Sequence, residues 1–415
     1  MNDIIELSVI AKDEPQSALC SFVKAISHRW TYVQRTIPNI SQLFAPLEEV
    51  IREKFIPALV GRNISDIERR IFALPVRYGG MGISDPTSTA DTEFHVSATI
   101  THSFVDIIMK QEEDFSNYDK KSVSETVARM KLLKEDSLRN ELDEILSAVN
   151  PKMKRALTLA QEKGAGSWLS VPPIKSLGYT LNKQEFRDSI CLRYDWKIPQ
   201  TPNFCQCGQK NSIDHALSCP NGGYRIFRHD RIRDLDAEFM REVCKDVKVE
   251  PELLPLESLQ VTGNNAVKAR LDVSGVGLWA PQERTFIDVR VVHPNCPSHV
   301  NKDLNTLFDQ QEKEKKRSYN ERILNTHKAS FTPIILATTG GMGKEAKRFH
   351  KRLAVLISEK KNESYADVLN HLRTRLRFSI LRSSLIALRG VRGKQTKRED
   401  LSELATLSYN LIDVN

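Results

Sequence analysis

The feature that most limits how this chain can fold is a cluster of cysteine and histidine residues near its midpoint. Cys205, Cys207, His215 and Cys219 are separated by one, seven and three residues. Three thiolates and one imidazole are the ligands of a closed, tetrahedral zinc site, and the segment around them has too few apolar residues to fold by packing alone. We therefore predict a structural zinc ion that supplies the folding energy of this segment. The spacing between Cys205 and Cys207 is tighter than usual, and incidental thiols beside a surface histidine are the alternative.

Composition places the chain among ordinary globular proteins. It has 415 residues, of which 40% are hydrophobic and 27% charged, which favours several folded domains over general disorder. No apolar run reaches the roughly 18 residues of a transmembrane helix, and the N terminus lacks a signal-peptide pattern. Because the seven cysteines are an odd number, free thiols or metal ligands in a reducing compartment are favoured. We expect a soluble intracellular protein with no membrane partner and no small-molecule substrate.

Positive charge is concentrated towards the C terminus. Between Lys344 and Arg398 there are 16 lysines and arginines against 4 acidic residues. Arginines alternate there with leucines and isoleucines, which predicts a helix with one buried side and guanidinium groups on the other. Such a surface suits phosphate binding, and a merely solvated helix face is the alternative. The predicted nucleic-acid-binding residues are Arg373, Arg375, Arg377, Arg382, Arg389 and Arg392.

Hydrophobic periodicity predicts a helical first third, followed by a mixed region. The expected early helices are Ala18–Arg35, Phe44–Val60 and Ser65–Ala73, with polar helices from Asp91 to Gln161 and a helix near Lys183–Tyr194. The region beyond Gly223 reads as helix, two strands, helix, strand and helix. Its first five elements are predicted at Ile226–Val243, Val267–Trp279, Thr285–His293, Lys302–Leu324 and Thr332–Thr338.

Two of the predicted strands each contain one aspartate among apolar residues. Alternation places Leu271, Val273 and Ile287 on one face and Asp272 and Asp288 on the other. Aspartate is disfavoured in mid-strand, and like charges on neighbouring strands repel. A divalent cation such as Mg²⁺, which binds carboxylate oxygens, would offset that repulsion. Because the two aspartates are 16 positions apart, an unbulged hairpin puts both on one face only if its loop has an odd number of residues. A bulge at Gly275 or Gly277 is the alternative.

A lysine on the following predicted helix is a candidate partner of the aspartates. Gln311, Lys315 and Tyr319 recur every four residues and therefore share one helical face. An ammonium group near a metal ion could orient the attacking water and stabilise charge that develops on phosphorus. Arg290 is not expected to act as a base, because guanidinium does not deprotonate in proteins. The alternative is that the aspartates are turn carboxylates and Lys315 is a solvated lysine.

In order and spacing, these residues resemble the C-terminal half of certain non-LTR retrotransposon polyproteins, which contain a CCHC zinc linker and a restriction-like endonuclease of the PD-(D/E)xK superfamily. The similarity spans about Gly166–Arg392 and includes the Cys/His cluster, Gly222-Gly223, Arg228-His229, both aspartate strands and the Lys315–Tyr319 helix. Three upstream segments look like the thumb and post-polymerase region of such polyproteins. They are Ser27–Trp30, Phe55–Leu59 and Leu74–Gly80.

The resemblance implies a magnesium-dependent nuclease that nicks target DNA, so that the exposed 3′ hydroxyl primes reverse transcription. It implies Asp272 and Asp288 as magnesium ligands and Lys315 as the catalytic lysine, with Tyr319 beside it. DNA and element RNA are the implied partners, and the nucleus is the implied location. Two residues depart from the family pattern. Leu271 replaces a proline, and Arg290 replaces the signature lysine. Activity therefore depends on Lys315 lying close enough to the aspartates to act as the catalytic lysine.

Together these observations predict an α+β multidomain chain. Residues 1–88 form a helical, reverse-transcriptase thumb-like region, and residues 89–165 form a helical connector. A linker with the CCHC zinc motif occupies 166–224, a PD-(D/E)xK restriction-like α/β nuclease core occupies 225–360, and a basic helical C-terminal extension occupies 361–415.

One absence limits the expected function. No two aspartates are adjacent anywhere in the sequence, so the metal-binding dyad of a polymerase is missing and we expect no RNA copying. The chain therefore looks like the downstream part of a longer polyprotein. Two alternatives to the nuclease stay open at this point. One is a catalytically inactive nucleic-acid-binding remnant, and the other is a helical interaction protein that retains the nuclease fold.

Overall fold

The structure is a computed structural model, and it describes residues 1–111, 120–254 and 268–390. The chain is of the mixed α/β class, with many helices and a small four-stranded sheet. It divides into two compact units, which we call the first and second units. The first contains Met1–Gln161 and Leu169–Tyr194, and the second contains Glu162–Trp168 and the chain from Asp195 onward. The finer division into five segments stays a prediction.

The described parts of the chain up to Tyr194 contain helices and connecting loops but no strand. A π-helical turn at Ile51–Phe55 joins α4 to α5 without a break, so the predicted helical stretch Phe44–Val60 is confirmed. The helices are α1 Asn2–Ala11, α2 Pro15–Lys24, α3 Thr31–Thr36, α4 Ala45–Val50, α5 Ile56–Val60, α6 Asp66–Ala73, α7 Pro86–Met109, α8 Lys120–Ala148, α9 Pro151–Ala160, α10 Ser167–Ser170 and α11 Lys183–Tyr194.

One helix prediction in this region is confirmed and another is wrong. Ser65 caps α6 through a reciprocal pair of hydrogen bonds with Glu68, the arrangement that Ser-x-x-Glu favours. The continuous helix expected at Ala18–Arg35 is instead two helices, because α2 ends at Lys24 and α3 begins at Thr31. No residue between Phe22 and Gln34 is buried, so tertiary packing provides nothing to hold that turn in a regular helix.

The second unit combines helices with the sheet. The strand order β1-β2-β3-β4 is antiparallel for the first two pairs and parallel for β3 with β4. β1 was not predicted, because its sequence KDVKV is mostly charged. The elements are α12 Ile213–Ser218, α13 Tyr224–Val243, β1 Lys245–Val249, β2 Val273–Val276, β3 Arg284–Val292, α14 Leu304–Arg322, β4 Ser330–Ala337, α15 Lys344–Lys361 and α16 Tyr365–Arg389.

Helices cover both faces of the sheet. Val273, Ile287 and Val289 point into the main core, which is completed by apolar side chains of α13, α15 and α16. On the opposite face, Phe286 belongs to a smaller apolar cluster that includes residues of α14 and β4. Leu271 was expected beside Val273 but packs in this smaller cluster, because regular strand structure begins only at Val273. Asp288, which alternates with Ile287 and Val289 along β3, lies on the α14 face, where it forms an ion pair with Lys315.

Candidate metal-binding and active sites

The four residues of the Cys/His cluster come together in space. Their ligand atoms all lie within 4.8 Å of one another, with 3.9 Å between the Sγ atoms of Cys205 and Cys219 and 3.3 Å from Cys207 Sγ to His215 Nε2. Zn–S bonds of about 2.3 Å in a tetrahedron give S–S edges of about 3.8 Å. The donor set and its spacing therefore fit a metal ion such as Zn²⁺.

Two short structural motifs position these ligands. A tight turn presents Cys205 and Cys207, with Gly208 in the left-handed region at φ +86° and Cys205 N–H donating to the Gln209 carbonyl over 2.8 Å. The second motif is α12, whose N terminus is capped by Ser212 and whose first turn contains His215. Cys219 ends that helix, and its N–H donates to the His215 carbonyl. The longest gap of the motif therefore joins a turn to a helix.

The thiols of the cluster differ in their electrostatic surroundings. Burial opposes ionisation of Cys205, but hydrogen bonds from the backbone of Cys207 and from His215 outweigh it and lower the pKa of Cys205 to about 6. Burial raises the pKa of Cys219. A low-pKa thiol favours the thiolate form, which is the form that binds metal.

Asp272 lies just beyond the end of the β2–β3 ladder, close to Asp288. β2 and β3 pair regularly from Val276↔Arg284 to Val273↔Ile287, but Asp272 N–H also donates to the Ile287 carbonyl, at 3.2 Å, so the regular register is interrupted at Asp272. The unbulged hairpin considered from the sequence therefore does not extend to Asp272, although the connection 277–283 has an odd number of residues, seven. The Asp272 carboxylate nevertheless reaches β3, because its Oδ2 accepts a hydrogen bond from the N–H of Val289, the residue next to Asp288. The two carboxylates are close enough for the charge of Asp272 to raise the pKa of Asp288.

Asp272 is held in position by a backbone group and a histidine. Its Oδ2 accepts a hydrogen bond from Val289 N–H at 2.5 Å and lies 3.2 Å from Nε2 of His229 on α13. Burial disfavours the charged form of His229, but the carboxylates of Asp272 and Asp230 outweigh it and raise the pKa of His229 to about 9. The sequence analysis gave His229 no role. Its adjacency to Asp272 depends on how α13 packs on the sheet, which no local spacing reveals.

Asp288 is buried, with 6% of its surface exposed, and forms an ion pair with Lys315 of α14. Burial raises the pKa of Asp288, and the negative charge of Asp272 acts in the same direction, while the Lys315 ammonium opposes both. A desolvated carboxylate beside a second carboxylate and an amine is the kind of environment that functional sites provide. The lysine named in the sequence analysis therefore reaches the acidic pair. We call Asp272, Asp288, Lys315 and His229 the acidic centre.

The remaining residues of the α14 face take supporting positions. The Lys315 ammonium lies 5.7 Å from the centre of the Tyr319 ring, which packs on Phe331 at 5.8 Å. Arg290 donates to the Gln311 side chain at 2.5 Å and pairs with Glu314 at 3.0 Å. Tyr319 thus packs beside the lysine. Arg290 lies two residues beyond Asp288 on β3, and its partners are Gln311 and Glu314.

The arginine-rich helix is more deeply packed than its sequence pattern suggests. The alternating apolar residues of α16 are buried, as predicted. Its arginines, however, are half-buried and contact other parts of the second unit. Arg375 pairs with Glu238, Arg377 donates to Ser167 and to the Lys163 carbonyl, and Arg382 lies over the Phe378 ring. Their role in binding nucleic acid, and that of Arg373 and Arg389, stays a prediction, and Arg392 lies outside the described residues.

Comparisons with known proteins return no match, either among protein-family models or among curated sequences. Across the described ranges, no helix is both long and apolar enough to cross a membrane. Any functional argument therefore depends on the geometry of the two sites and on the sequence resemblance.

Proposed function

We propose that this protein is a metal-dependent DNA endonuclease of the restriction-like kind, which hydrolyses a phosphodiester bond. The observation that best supports the proposal is the approach of the Asp272 carboxylate to Asp288 at the end of the β2–β3 ladder, where Lys315 of the facing helix forms an ion pair with Asp288. Asp272 and Lys315 are 43 positions apart in the sequence, yet both approach Asp288 in the folded structure. That convergence favours a reaction centre over isolated turn carboxylates.

The residues present fit a hard cation, since both carboxylates supply oxygen donors and their charges repel in its absence. Asp272 and Asp288 would hold Mg²⁺, which when bound acts as a Lewis acid and lowers the pKa of water. His229 and Val289 N–H fix the orientation of the Asp272 carboxylate. Lys315, supported by Tyr319, would stabilise the negative charge that develops on the phosphate during cleavage.

The finer identity of the nuclease comes from the sequence resemblance. We propose that the chain is the endonuclease region of a non-LTR retrotransposon polyprotein and that it nicks target DNA to prime reverse transcription. Its partners would be DNA and element RNA, and its location would be the nucleus. The Cys/His cluster would hold a structural Zn²⁺, because four protein ligands leave no open position for a substrate.

A nucleic-acid-binding protein without catalysis is the second candidate. It is favoured by the ion pairs themselves, because Lys315 neutralises Asp288 and the His229 imidazolium neutralises Asp272. With those charges already compensated, the acidic centre can exist without any bound cation. The two candidates therefore differ in whether the carboxylates exchange their protein partners for a metal ion.

Nicking of supercoiled plasmid in Mg²⁺ separates the candidates. We expect wild-type protein to produce open circles, and Asp288→Ala and Asp272→Asn to be slower by at least about 100-fold, because the metal ligands are lost. Asp246→Asn is the matched control, since Asp246 lies on β1 of the same sheet and is half exposed in its pair with Arg284. Equal nicking by wild type and Asp288→Ala would remove the enzyme interpretation. DNA binding without nicking by wild type would favour the second candidate.

A further inference from the structure

A cavity of about 470 Å³ lies next to the acidic centre, where the end of β3 faces α12 and α13. It is connected to the centre through two of its lining residues. Arg290 is two residues beyond Asp288 and so lies on the same side of β3, and Gln311 is one turn before Lys315 on α14. The cavity also touches the Cys/His segment, because Leu217 and Ser218 of α12 line it.

The charge of this cavity is positive. Three arginines and two histidines line it, and none of its described lining residues is an aspartate or a glutamate. Two of these basic side chains are matched by carboxylates just outside the cavity. Arg290 pairs with Glu314 at 3.0 Å, and His293 Nε2 lies 2.9 Å from Asp214 Oδ1. The other three basic residues that line the cavity are Arg225, which is exposed, Arg228 and His299.

Arg228 is the unusual member of this group. Only 3% of its surface is exposed, and one of its nitrogens, Nη2, donates to the Leu217 carbonyl at 3.1 Å. Its Nε and Nη1 atoms are buried and make no hydrogen bond with any described residue, and the same is true of Nδ1 of His299. A buried arginine normally has a carboxylate or several acceptors around it, because an unpaired buried charge is strongly disfavoured.

The electrostatics make the cavity attractive to an anion. Burial, followed by the nearby charge of Arg225, lowers the pKa of Arg228 to about 10, so the guanidinium is still charged at neutral pH. An anion that enters would accept hydrogen bonds from the unsatisfied nitrogens and offset the repulsion between the two arginines. Guanidinium groups match the geometry of phosphate oxygens through paired N–H donors, which makes phosphate the best-fitting anion.

We propose that this cavity binds a phosphate group of the nucleic-acid strand, at a nucleotide other than the one that is cut. The inference rests on the proposed function, since it takes the acidic centre as the cleavage point and the cavity as the neighbouring contact on the same strand. Arg228 would bind the phosphate in the interior, and Arg225 would contact it at the rim. The cavity would thus set the direction in which the strand crosses the acidic centre.

DNA binding without divalent cations tests this proposal separately from cleavage. Fluorescence anisotropy would measure the affinity of a labelled duplex for wild type, Arg228→Met and Arg322→Met over a range of salt concentrations. Arg322 is the matched control, because it is equally buried, donates to the Leu254 carbonyl and does not line the cavity. We expect Arg228→Met to bind about tenfold more weakly and to lower the slope of log K against log salt by about one. Arg322→Met should match wild type.

A second variant and a second ligand make the outcome decisive. Arg225→Met should weaken duplex binding in the same direction and leave the melting temperature unchanged, since Arg225 is exposed. Inorganic phosphate at constant ionic strength should raise the melting temperature of wild type more than that of Arg228→Met. Wild-type affinity for DNA in both cavity variants would overturn the proposal, as would an absence of DNA binding by wild type. If phosphate alone distinguishes the variants, the cavity takes a small free anion and the nucleic-acid assignment is wrong.

The two proposals can fail separately. If Asp288→Ala nicks DNA as well as wild type while Arg228→Met loses affinity, the cavity is a DNA contact and the cleavage centre is misassigned. If Asp288→Ala loses nicking while Arg228→Met binds and nicks like wild type, the cleavage centre stands and the cavity proposal falls.

Discussion

The Cys/His cluster and the acidic centre are both candidate metal sites, yet they are built in opposite ways. The Cys/His cluster draws all its ligands from 15 consecutive positions. The residues of the acidic centre come from four places in the chain. His229 lies on α13, Asp272 directly precedes β2, Asp288 lies on β3 and Lys315 lies on α14. Thiolate and imidazole donors suit zinc, whereas carboxylate oxygens suit magnesium. On the proposed roles, the Cys/His segment would need its metal to fold, whereas the acidic centre forms when the surrounding unit folds.

The sites also differ in how their charges are compensated. Asp288 has the Lys315 ammonium as its partner, and Asp272 has His229. In the Cys/His cluster the ligand atoms contact one another, with Cys205 Sγ 3.9 Å from Cys219 Sγ and Cys207 Sγ 3.3 Å from His215 Nε2. If the proposed roles hold, protein cations keep the acidic centre in place before its metal binds, whereas the Cys/His cluster has no such substitute for a structural zinc ion. Four predictions test this contrast.

Removal of the metal from the Cys/His cluster should have the largest effect. A structural zinc ion contributes about 10 kcal/mol of apparent binding free energy to the segment it folds. We therefore expect a strong chelator, or Cys219→Ser, to abolish hydrogen-exchange protection of the α12 amides. Cys296→Ser is the control, because Cys296 is a half-buried thiol outside the cluster. Retention of full α12 protection in metal-free protein would show that packing alone folds this segment.

Loss of the lysine at the acidic centre should have the next largest effect. Lys315→Met leaves Asp288 buried beside Asp272 without its ammonium partner, which we expect to lower the free energy of unfolding by about 3 kcal/mol. Mg²⁺ should restore much of that loss, because the cation replaces the missing positive charge. Denaturant unfolding with and without Mg²⁺ measures both effects, and Lys313→Met, at an exposed position of α14, is the control. A stability loss that Mg²⁺ does not alter would argue against a cation site.

Removal of the histidine beside Asp272 should have a smaller effect. His229→Ala deletes a charge-assisted hydrogen bond to a mostly buried carboxylate, and we expect about 2 kcal/mol lower unfolding free energy. The same denaturant series measures it, with the exposed His95→Ala of α7 as the comparison. Unchanged stability in His229→Ala would mean that Asp272 is held by the Val289 N–H alone.

Substitution of the arginine that stands at the signature lysine position should have the smallest effect. Arg290→Lys removes hydrogen bonding to Gln311 and weakens a partly exposed pair with Glu314, which we expect to change stability by about 0.5 kcal/mol. Plasmid nicking should remain within the same order of magnitude, because Lys315 is the amine bound to Asp288. A large gain of nicking in Arg290→Lys would show that Lys315 does not act as the catalytic lysine and that a lysine at position 290 is needed.

The sequence predicted local features of both sites well. Ligand spacing alone identified Cys205, Cys207, His215 and Cys219, whose clustering in space is confirmed. Alternation assigned Asp272 and Asp288 to the polar side of their strands, but Asp272 precedes β2, and the regular register is interrupted there because its N–H donates to the Ile287 carbonyl. Where regular pairing begins depends on contacts across the sheet and not on local pattern.

Features that depend on packing between distant elements could not be predicted. His229 approaches Asp272 because α13 covers the sheet, and its neighbours along the chain give no sign of this. The arginines of α16 were expected on an open face, but Arg377 contacts Ser167 and Lys163 from a segment about 210 positions earlier. Local periodicity identifies a helix and its apolar side, and tertiary packing decides what covers the rest.

Anomalous diffraction from crystals grown with Zn²⁺ and soaked in Mn²⁺, an oxygen-seeking substitute for Mg²⁺, would examine both sites in one experiment. We expect a zinc peak among the four Cys/His ligands and a manganese peak between the carboxylates of Asp272 and Asp288, with the Lys315 ammonium displaced from Asp288. A map with no manganese at the acidic centre and with Lys315 still paired to Asp288 would contradict the proposed nuclease.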